Sequence, residues 1–126
     1  MSLRPRICLI DDDPMVCDAL ALGLGDGGFE AVVIADARDA LGRIEQERFD
    51  AVVTDINMPG FSGADLIAAV RAKRGDLPIV AISGGGTIAG RDIGDVARER
   101  GASACLVKPF RARDLIAALK PLIAAS

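Results

Sequence analysis

Asp11 and Asp12, Asp55, Ser83 and Lys108 each stand directly after a short apolar run. Arg6-Ile7-Cys8-Leu9-Ile10 leads into Asp11-Asp12-Asp13-Pro14, and Ala51-Val52-Val53-Thr54 leads into Asp55. Ile79-Val80-Ala81-Ile82 leads into Ser83, and Ala104-Cys105-Leu106-Val107 leads into Lys108. If the first and third runs lie side by side, three carboxylates crowd one place. Like charges that close are unfavourable unless some are protonated or a cation is present. Carboxylate and carbonyl oxygens form a hard donor set that suits Mg²⁺. An ammonium and a hydroxyl opposite such a cation would spread the charge of a phosphoryl group on Asp55, which is how phosphoryl transfer is usually assisted.

These groups need elements that end in one place. Short β-branched and apolar runs bounded by Pro and Gly read as buried parallel strands, here 6–10, 31–34, 51–55, 79–82 and 104–107. Helical periodicity lies between them. Asp13 is a good N-cap and Pro14 suits the first helical position. Val16, Ala19 and Leu20 give that helix its apolar face, and the glycine-rich stretch 23–28 is expected to stop it. Ala37, Ala40, Leu41 and Ile44 mark a second helix. A third starts at Ser62 or Gly63 and carries Leu66, Ile67 and Val70; Gly75-Asp76-Leu77-Pro78 ends it. Gly84-Gly85-Gly86 reads as a loose connection. Ile93, Val96 and Ala97 mark a fourth helix with Gly101 as its stop. A fifth runs from about Arg111 to Ala124, with Leu115, Ala118, Leu119 and Leu122 inward and Pro121 weakening its last turn. Regular β-α alternation implies a parallel sheet with right-handed crossovers and helices on both faces: a three-layer α/β/α sandwich. In such sheets ligands bind outside the carboxyl ends of the strands, where these polar groups stand.

Composition removes other functions. The 126 residues fit one domain, 1–126, with 1–5 expected to be a flexible tail. The net charge of -3 argues against nucleic-acid binding by this domain, which rests on Lys and Arg neutralising phosphates. There is no histidine, which removes Ser–His and Cys–His catalysis and histidine metal sites. There is no Trp or Tyr to stack on single strands. No apolar run approaches the roughly 18 residues of a membrane span, and no signal peptide is visible. Three cysteines at 8, 17 and 105 fit no metal template and read as free thiols in a reducing cytoplasm.

With these motifs in order at successive strand ends, the chain resembles the receiver domain of two-component response regulators. The matching pieces are Ile10-Asp11-Asp12-Asp13-Pro14, Asp55-Ile56-Asn57-Met58-Pro59 with Gly63, Ile82-Ser83-Gly84, and Lys108-Pro109-Phe110. The resemblance implies a flavodoxin-like five-stranded sheet in the order 2-1-3-4-5. It implies that Asp55 is the phosphoacceptor, and that Asp11, Asp12, Asp55 and the main-chain carbonyl of Asn57 hold Mg²⁺. Asp13 leaves the acidic pair open between 11/12 and 12/13. Its use as a cap before Pro14 assigns 11 and 12 to the metal. Ser83 matches the hydroxyl that bonds the phosphoryl group and draws in the following loop. Lys108 matches the lysine that pairs with its oxygens, and the Lys108–Pro109 bond is expected to be cis. The resemblance further implies a sensor histidine kinase or histidine phosphotransfer protein as partner. It also implies a downstream target reached through the face of helix four, strand five and helix five, and a monomer or a phosphorylation-dependent homodimer. Such a domain is a signalling module rather than an enzyme. One departure stands out: the family often has Tyr or Phe three residues before the lysine as part of the switch, and here that position is Cys105. The glycine run beside Ser83 is expected to be mobile without phosphate and to order on phosphorylation.

Each group has a plainer reading. Asp55 alone is a turn residue, Asp11 and Asp12 are surface acids, Ser83 caps a turn, and Lys108 is a solvated lysine. Cys105 reads as a buried small apolar residue, and Phe29, Phe49, Phe61 and Phe110 as packing residues. No Gly-Lys-Ser/Thr follows Gly84–Gly86, so a nucleotide P-loop is not indicated. Two other functions compete. A receiver-shaped module working without phosphate is kept open by Cys105. A phosphohydrolase of the haloacid-dehalogenase type is suggested by Asp11-x-Asp13, but the chain has no room for a substrate cap.

Overall fold

The structure, a computed structural model, describes residues 4–57 and 62–125. Five strands form one parallel sheet: β1 (Arg6–Ile10), β2 (Glu30–Ile34), β3 (Ala51–Asp55), β4 (Ile79–Ser83) and β7 (Ala104–Val107). Their order is β2-β1-β3-β4-β7, the expected 2-1-3-4-5 of the five sheet strands. Between them run α1 (Pro14–Asp26), α2 (Ala37–Gln46), α3 (Gly63–Lys73), α4 (Ile93–Arg100) and α5 (Ala112–Ala125). A two-stranded ladder of β5 (Thr87–Ile88) and β6 (Arg91–Asp92) precedes α4.

Strand alternation sorts the core into two layers. Cys8, Ile10, Val52, Ile79 and Ala81 face α2, α3 and α4, where Ile44, Leu66, Ile67, Val70 and Ala97 close over them. Ile7, Leu9, Val53, Val80 and Ile82 face the other way, under Leu20 and Leu24 of α1 and Leu115 and Leu119 of α5. Every residue of β3 and β4 is buried, as a strand covered on both faces requires. The register runs Ile10↔Thr54, Asp55↔Ile82 and Ser83↔Val107, so the carboxyl ends of β1, β3, β4 and β7 come level. Side-chain caps start the helices there: Asp13, Asp36, Ser62 and Asp92 each accept main-chain N–H groups of the first turn of α1, α2, α3 and α4.

The glycine-rich stretch 23–28 ends α1, as expected, although not at its first residue: the helix continues through Gly23 to Asp26 and is capped by Gly27. Leu24 is fully buried, and a Cβ on Gly23 would collide with the Cβ of Ala112 on α5. The glycine therefore lets two helices approach, and their packing outweighs its poor helix propensity. The connection after β4 holds a hairpin that the sequence did not suggest, just past Gly84–Gly86: Ile88 pairs with Arg91 and Thr87 with Asp92 across an Ala89–Gly90 turn, with φ of 52° and 78°. Positive φ at both turn positions matches the twist of a hairpin. Arg91 pairs with Glu99 of α4, and the Ile93 N–H donates to the Gly86 carbonyl, tying hairpin to helix. On α4, Ile93 and Ala97 are buried but Val96 is half-buried, and on α5 Ala118 and Leu122 are also half-buried. α5 begins at Ala112 and runs through Pro121 to Ala125. The N-terminal segment is tied from Arg4 onward, whose guanidinium donates to the carbonyls of Gly25 and Phe29. Phe29 and Phe49 are buried and Phe110 is half-buried, whereas Phe61 and Met58-Pro59-Gly60 lie outside the described residues.

At the opposite end of the sheet, Arg6 donates to Glu30 and Glu47, and Arg43 donates to Glu47 at 2.6 Å. Arg43 and then Arg6 hold the Glu47 carboxyl down at about 2. A lowered folded-state pKa gives stability that is present above the unfolded value of about 4.3 and lost as pH falls through the folded one. Glu47→Gln is therefore expected to lower Tm modestly at pH 7. The difference from native protein should shrink between about pH 5 and 2 and with added salt, since the pairs are exposed. Thermal melts of both proteins at pH 7 and pH 3, at low and high salt, check this. A difference that does not change with pH would rule the ion pairs out as its source.

Candidate functional site

The turn after β1 is shaped by its own acids. Asp13 caps α1 by accepting from Met15 and Val16, and its N–H donates to Asp11 Oδ1 at 2.9 Å. That bond turns Asp11 inward, where it is 1% exposed, while Asp12 is exposed. The thiol of Cys17 on α1 donates to the Asp11 carbonyl. Asp55, 5% exposed, ends β3. Its Oδ1 accepts the Asn57 N–H at 3.0 Å, an Asx-type turn that aims Oδ2 away from the chain. The side chain of Thr54 is fully buried and donates to the Asp55 carbonyl at 3.1 Å.

One oxygen each from Asp11, Asp12 and Asp55 lie within 4.8 Å of one another. Lys108 reaches in from the end of β7, with Nζ 3.3 Å from Asp55 Oδ2 and 3.4 Å from Asp11 Oδ2. Main-chain bonds hold the strand ends in step: Ile56 N–H to the Ile82 carbonyl, and Lys108 N–H to the Ser83 carbonyl. The Lys108–Pro109 bond is cis. Ser83 is fully buried, and its Oγ accepts the Gly85 N–H at 2.9 Å. That leaves the hydroxyl proton free to donate.

Burial pushes the Asp11 carboxyl above the usual range; the Asp13 N–H opposes this, the Asp55 charge adds to it, and Lys108 partly offsets it. Burial pulls the Lys108 ammonium down, but the Asp55 and Asp11 charges more than reverse that, and its pKa lies above the ordinary value. Three carboxylates against one ammonium leave a local excess of negative charge. A hard divalent cation fits this donor set: it consists of oxygens alone and needs the positive charge.

Among the residues expected at the site, the structure brings Asp11, Asp12, Asp55 and Lys108 together and puts Ser83 at the end of the adjoining strand. Cys105 is not among them. It pairs with Ala81 across the sheet, is half-buried rather than buried, and faces α4, where a Cβ on Gly94 would lie 3.7 Å from its sulfur. Burial raises its thiol pKa. Two contributors escaped sequence reasoning. Thr54 reads there as part of an apolar run, its hydroxyl being the available signal. Gly63 appears there as a motif letter, whereas a Cβ on it would overlap the Asp55 carbonyl oxygen.

The profile of the response regulator receiver domain matches residues 7–120. The transcriptional regulatory protein PrrA of Mycobacterium tuberculosis is 38% identical over 119 residues, covering 94% of this chain and 50% of PrrA. The response regulator protein FleR of Pseudomonas aeruginosa is 35% identical over 114 residues, covering 90% of this chain and 24% of FleR. The chain thus spans half or less of these relatives. Among solved structures, a CheY-like receiver domain protein of Methanospirillum hungatei superposes with a TM-score of 0.88 at 26% identity, covering 97% of this chain and 95% of that one. Chemotaxis response regulator CheY4 of Vibrio cholerae gives 0.83 at 28% identity, covering 94% and 98%.

Proposed function

The chain belongs to the response regulator receiver domain family, and on that premise we propose that it is a single phospho-accepting domain, residues 1–126, whose acceptor is Asp55. The observation that carries this is the meeting of Asp11, Asp12 and Asp55 oxygens within 4.8 Å, with Lys108 Nζ 3.3 Å from Asp55. Asp11, Asp12, Asp55 and the Asn57 carbonyl would hold Mg²⁺, which when bound supplies neutralisation of the phosphoryl oxygens. The Asp55 carboxylate attacks the phosphorus of a phosphohistidine on a sensor kinase or phosphotransfer protein. An O–P bond forms, the N–P bond breaks, and the imidazole leaves. Lys108 exchanges part of its pairing with Asp55 for the phosphoryl oxygens. Ser83, already accepting from Gly85, donates a hydrogen bond to one of them and carries the hairpin and α4 with it. The readout face is α4–β7–α5, where Val107 is exposed, and the downstream partner or a second copy would dock there. Asp13, engaged as a cap, is not free for the acid role that a phosphohydrolase reading needs. A cytoplasmic location follows from the partner class; no described helix is long and apolar enough to cross a membrane.

Intact mass with a small phosphodonor tests the reading. One adduct of about 80 Da that disappears with a chelator supports it. No adduct under any donor overturns it and favours a phosphate-independent module.

The partner's approach can be tested separately. Met15 is 82% exposed at the start of α1, and Val16, Ala19, Leu20, Pro109 and Phe110 line an apolar pocket beside Lys108. Met15→Asp is expected to slow transfer from the kinase about tenfold, the loss of one apolar anchor, and to leave labelling by the small phosphodonor unchanged. Parallel rates with both donors check this; equal slowing with both would place Met15 in the chemistry instead.

A further inference from the structure

Four polar or charged side chains are buried among the described residues: Asp11, Thr54, Asp55 and Ser83. Three belong to the acceptor site already described. We infer that the fourth, Thr54, is a positioning residue that sets the orientation of the Asp55 carboxylate; this rests on Asp55 being the acceptor.

Thr54 Oγ1 donates to the carbonyl oxygen of Asp55 at 3.1 Å, with the hydroxyl fully buried. The same peptide unit is held on its other side by the Ile56 N–H, which donates to the Ile82 carbonyl at 2.9 Å. The carbonyl oxygen also lies against Gly63, where any side chain would overlap it. The peptide following Asp55 is therefore gripped at both polar atoms and packed on one face. Its plane fixes where the next main-chain groups point. One of these is the Asn57 N–H, which holds Asp55 Oδ1 at 3.0 Å. The route from the Thr54 hydroxyl to the carboxylate is thus two hydrogen bonds and one rigid peptide long. β3 takes part in a parallel sheet through β1 and β4, and every other side chain of β3 except Asp55 is apolar, so the strand itself does not call for a hydroxyl at position 54. Without it the peptide keeps its N–H anchor but can rock about it, and the carboxylate moves with the turn. Small misplacements of a reacting group lower rates steeply.

Three variants separate the hydroxyl from the methyl group. Thr54→Val keeps the volume and loses the hydroxyl, Thr54→Ser keeps the hydroxyl and loses the methyl, and Thr54→Ala loses both. Two readouts apply. The first is the Asn57 amide proton shift, measured by NMR without donor, which reports the bond to the Asp55 carboxylate. The second is the Asp55 labelling rate as a function of phosphodonor concentration. Val and Ala are expected to move the Asn57 shift and to lower the maximal rate about tenfold, the scale of one lost hydrogen bond. The half-saturating donor concentration should stay the same. Ser is expected to match the native protein in both. If Val fails to fold, the contrast between Ala and Ser decides. A native-like shift and rate in Val or Ala, or a Ser variant as slow as Ala, overturns the inference. If native protein takes no phosphoryl group, the acceptor reading itself fails, and the amide shift still tests Thr54 alone.

Discussion

Asp55→Asn is expected to remove the phosphoryl adduct entirely, a drop of more than about a hundredfold, while the fold stays intact. The amide oxygen keeps the shape of Oδ1 and can still accept the Asn57 N–H that the carboxylate accepts at 3.0 Å. What is lost is the nucleophile and one negative charge. Lys108 retains Asp11 Oδ2 at 3.4 Å as a partner, so the ammonium is not stranded. The crowding of acids also eases: the Asp55 charge is one reason the Asp11 carboxyl lies high, and in the variant Asp11 should ionise at lower pH. Intact mass of native and variant protein, with donor and Mg²⁺, reads the result directly. An adduct that persists in the variant would move the acceptor to Asp11 and revive the phosphohydrolase alternative. A variant that no longer folds, shown by circular dichroism, would say that Asp55 is chiefly structural.

The strands were legible because each is short and apolar, and all but the second end abruptly at a polar residue. Periodicity of this kind leaves little choice of element or direction. The site was legible for the same reason: in a parallel sheet, carboxyl ends gather at one edge, so groups far apart in sequence need no further argument to meet. Lys108 lies 97 positions from Asp11 and still comes within 3.4 Å of it.

Glycine has two uses, to break an element and to let elements approach, and residue type does not tell them apart. In the stretch 23–28 the helix does stop, at Asp26 with Gly27 as cap, but Gly23 itself lies inside it, where Ala112 of α5 packs in the place of a side chain. At Gly84–Gly86 the run suggests an open connection. The hairpin that follows draws its stability from pairing between Ile88 and Arg91 and from Arg91 with Glu99, partners that the glycines do not reveal. Thr54 was missed because its hydroxyl acts on a main-chain oxygen, and main-chain partners leave no trace in residue type. Each of these is a tertiary fact that local pattern cannot carry.

Gly63→Ala is expected to be the most damaging small substitution. Gly63 opens α3 directly beneath the end of β3. A Cβ there would overlap the Asp55 carbonyl oxygen and lie 2.6 Å from Ile56 Cα and 2.8 Å from the Asp55 carbonyl carbon. All three are main-chain atoms at the end of β3 and in the residue after it, so no side chain can swing aside. α3 must move off the sheet, or the end of β3 must shift. Overpacking typically costs 1–3 kcal/mol, and with a rigid neighbour the upper end, about 3 kcal/mol, is expected. For a domain this size that lowers Tm by roughly 10 °C. Because the displaced atoms carry Asp55, labelling should slow as well. The control is the same chemical change at Gly42, inside α2, where a Cβ meets nothing within 4 Å. There alanine's better helix propensity acts alone, and Gly42→Ala should stabilise by up to about 1 kcal/mol. Thermal melts of the two variants should therefore move in opposite directions. A Gly63→Ala protein as stable as native would mean that α3 can yield without cost, and that the glycine is not what holds Asp55 in place.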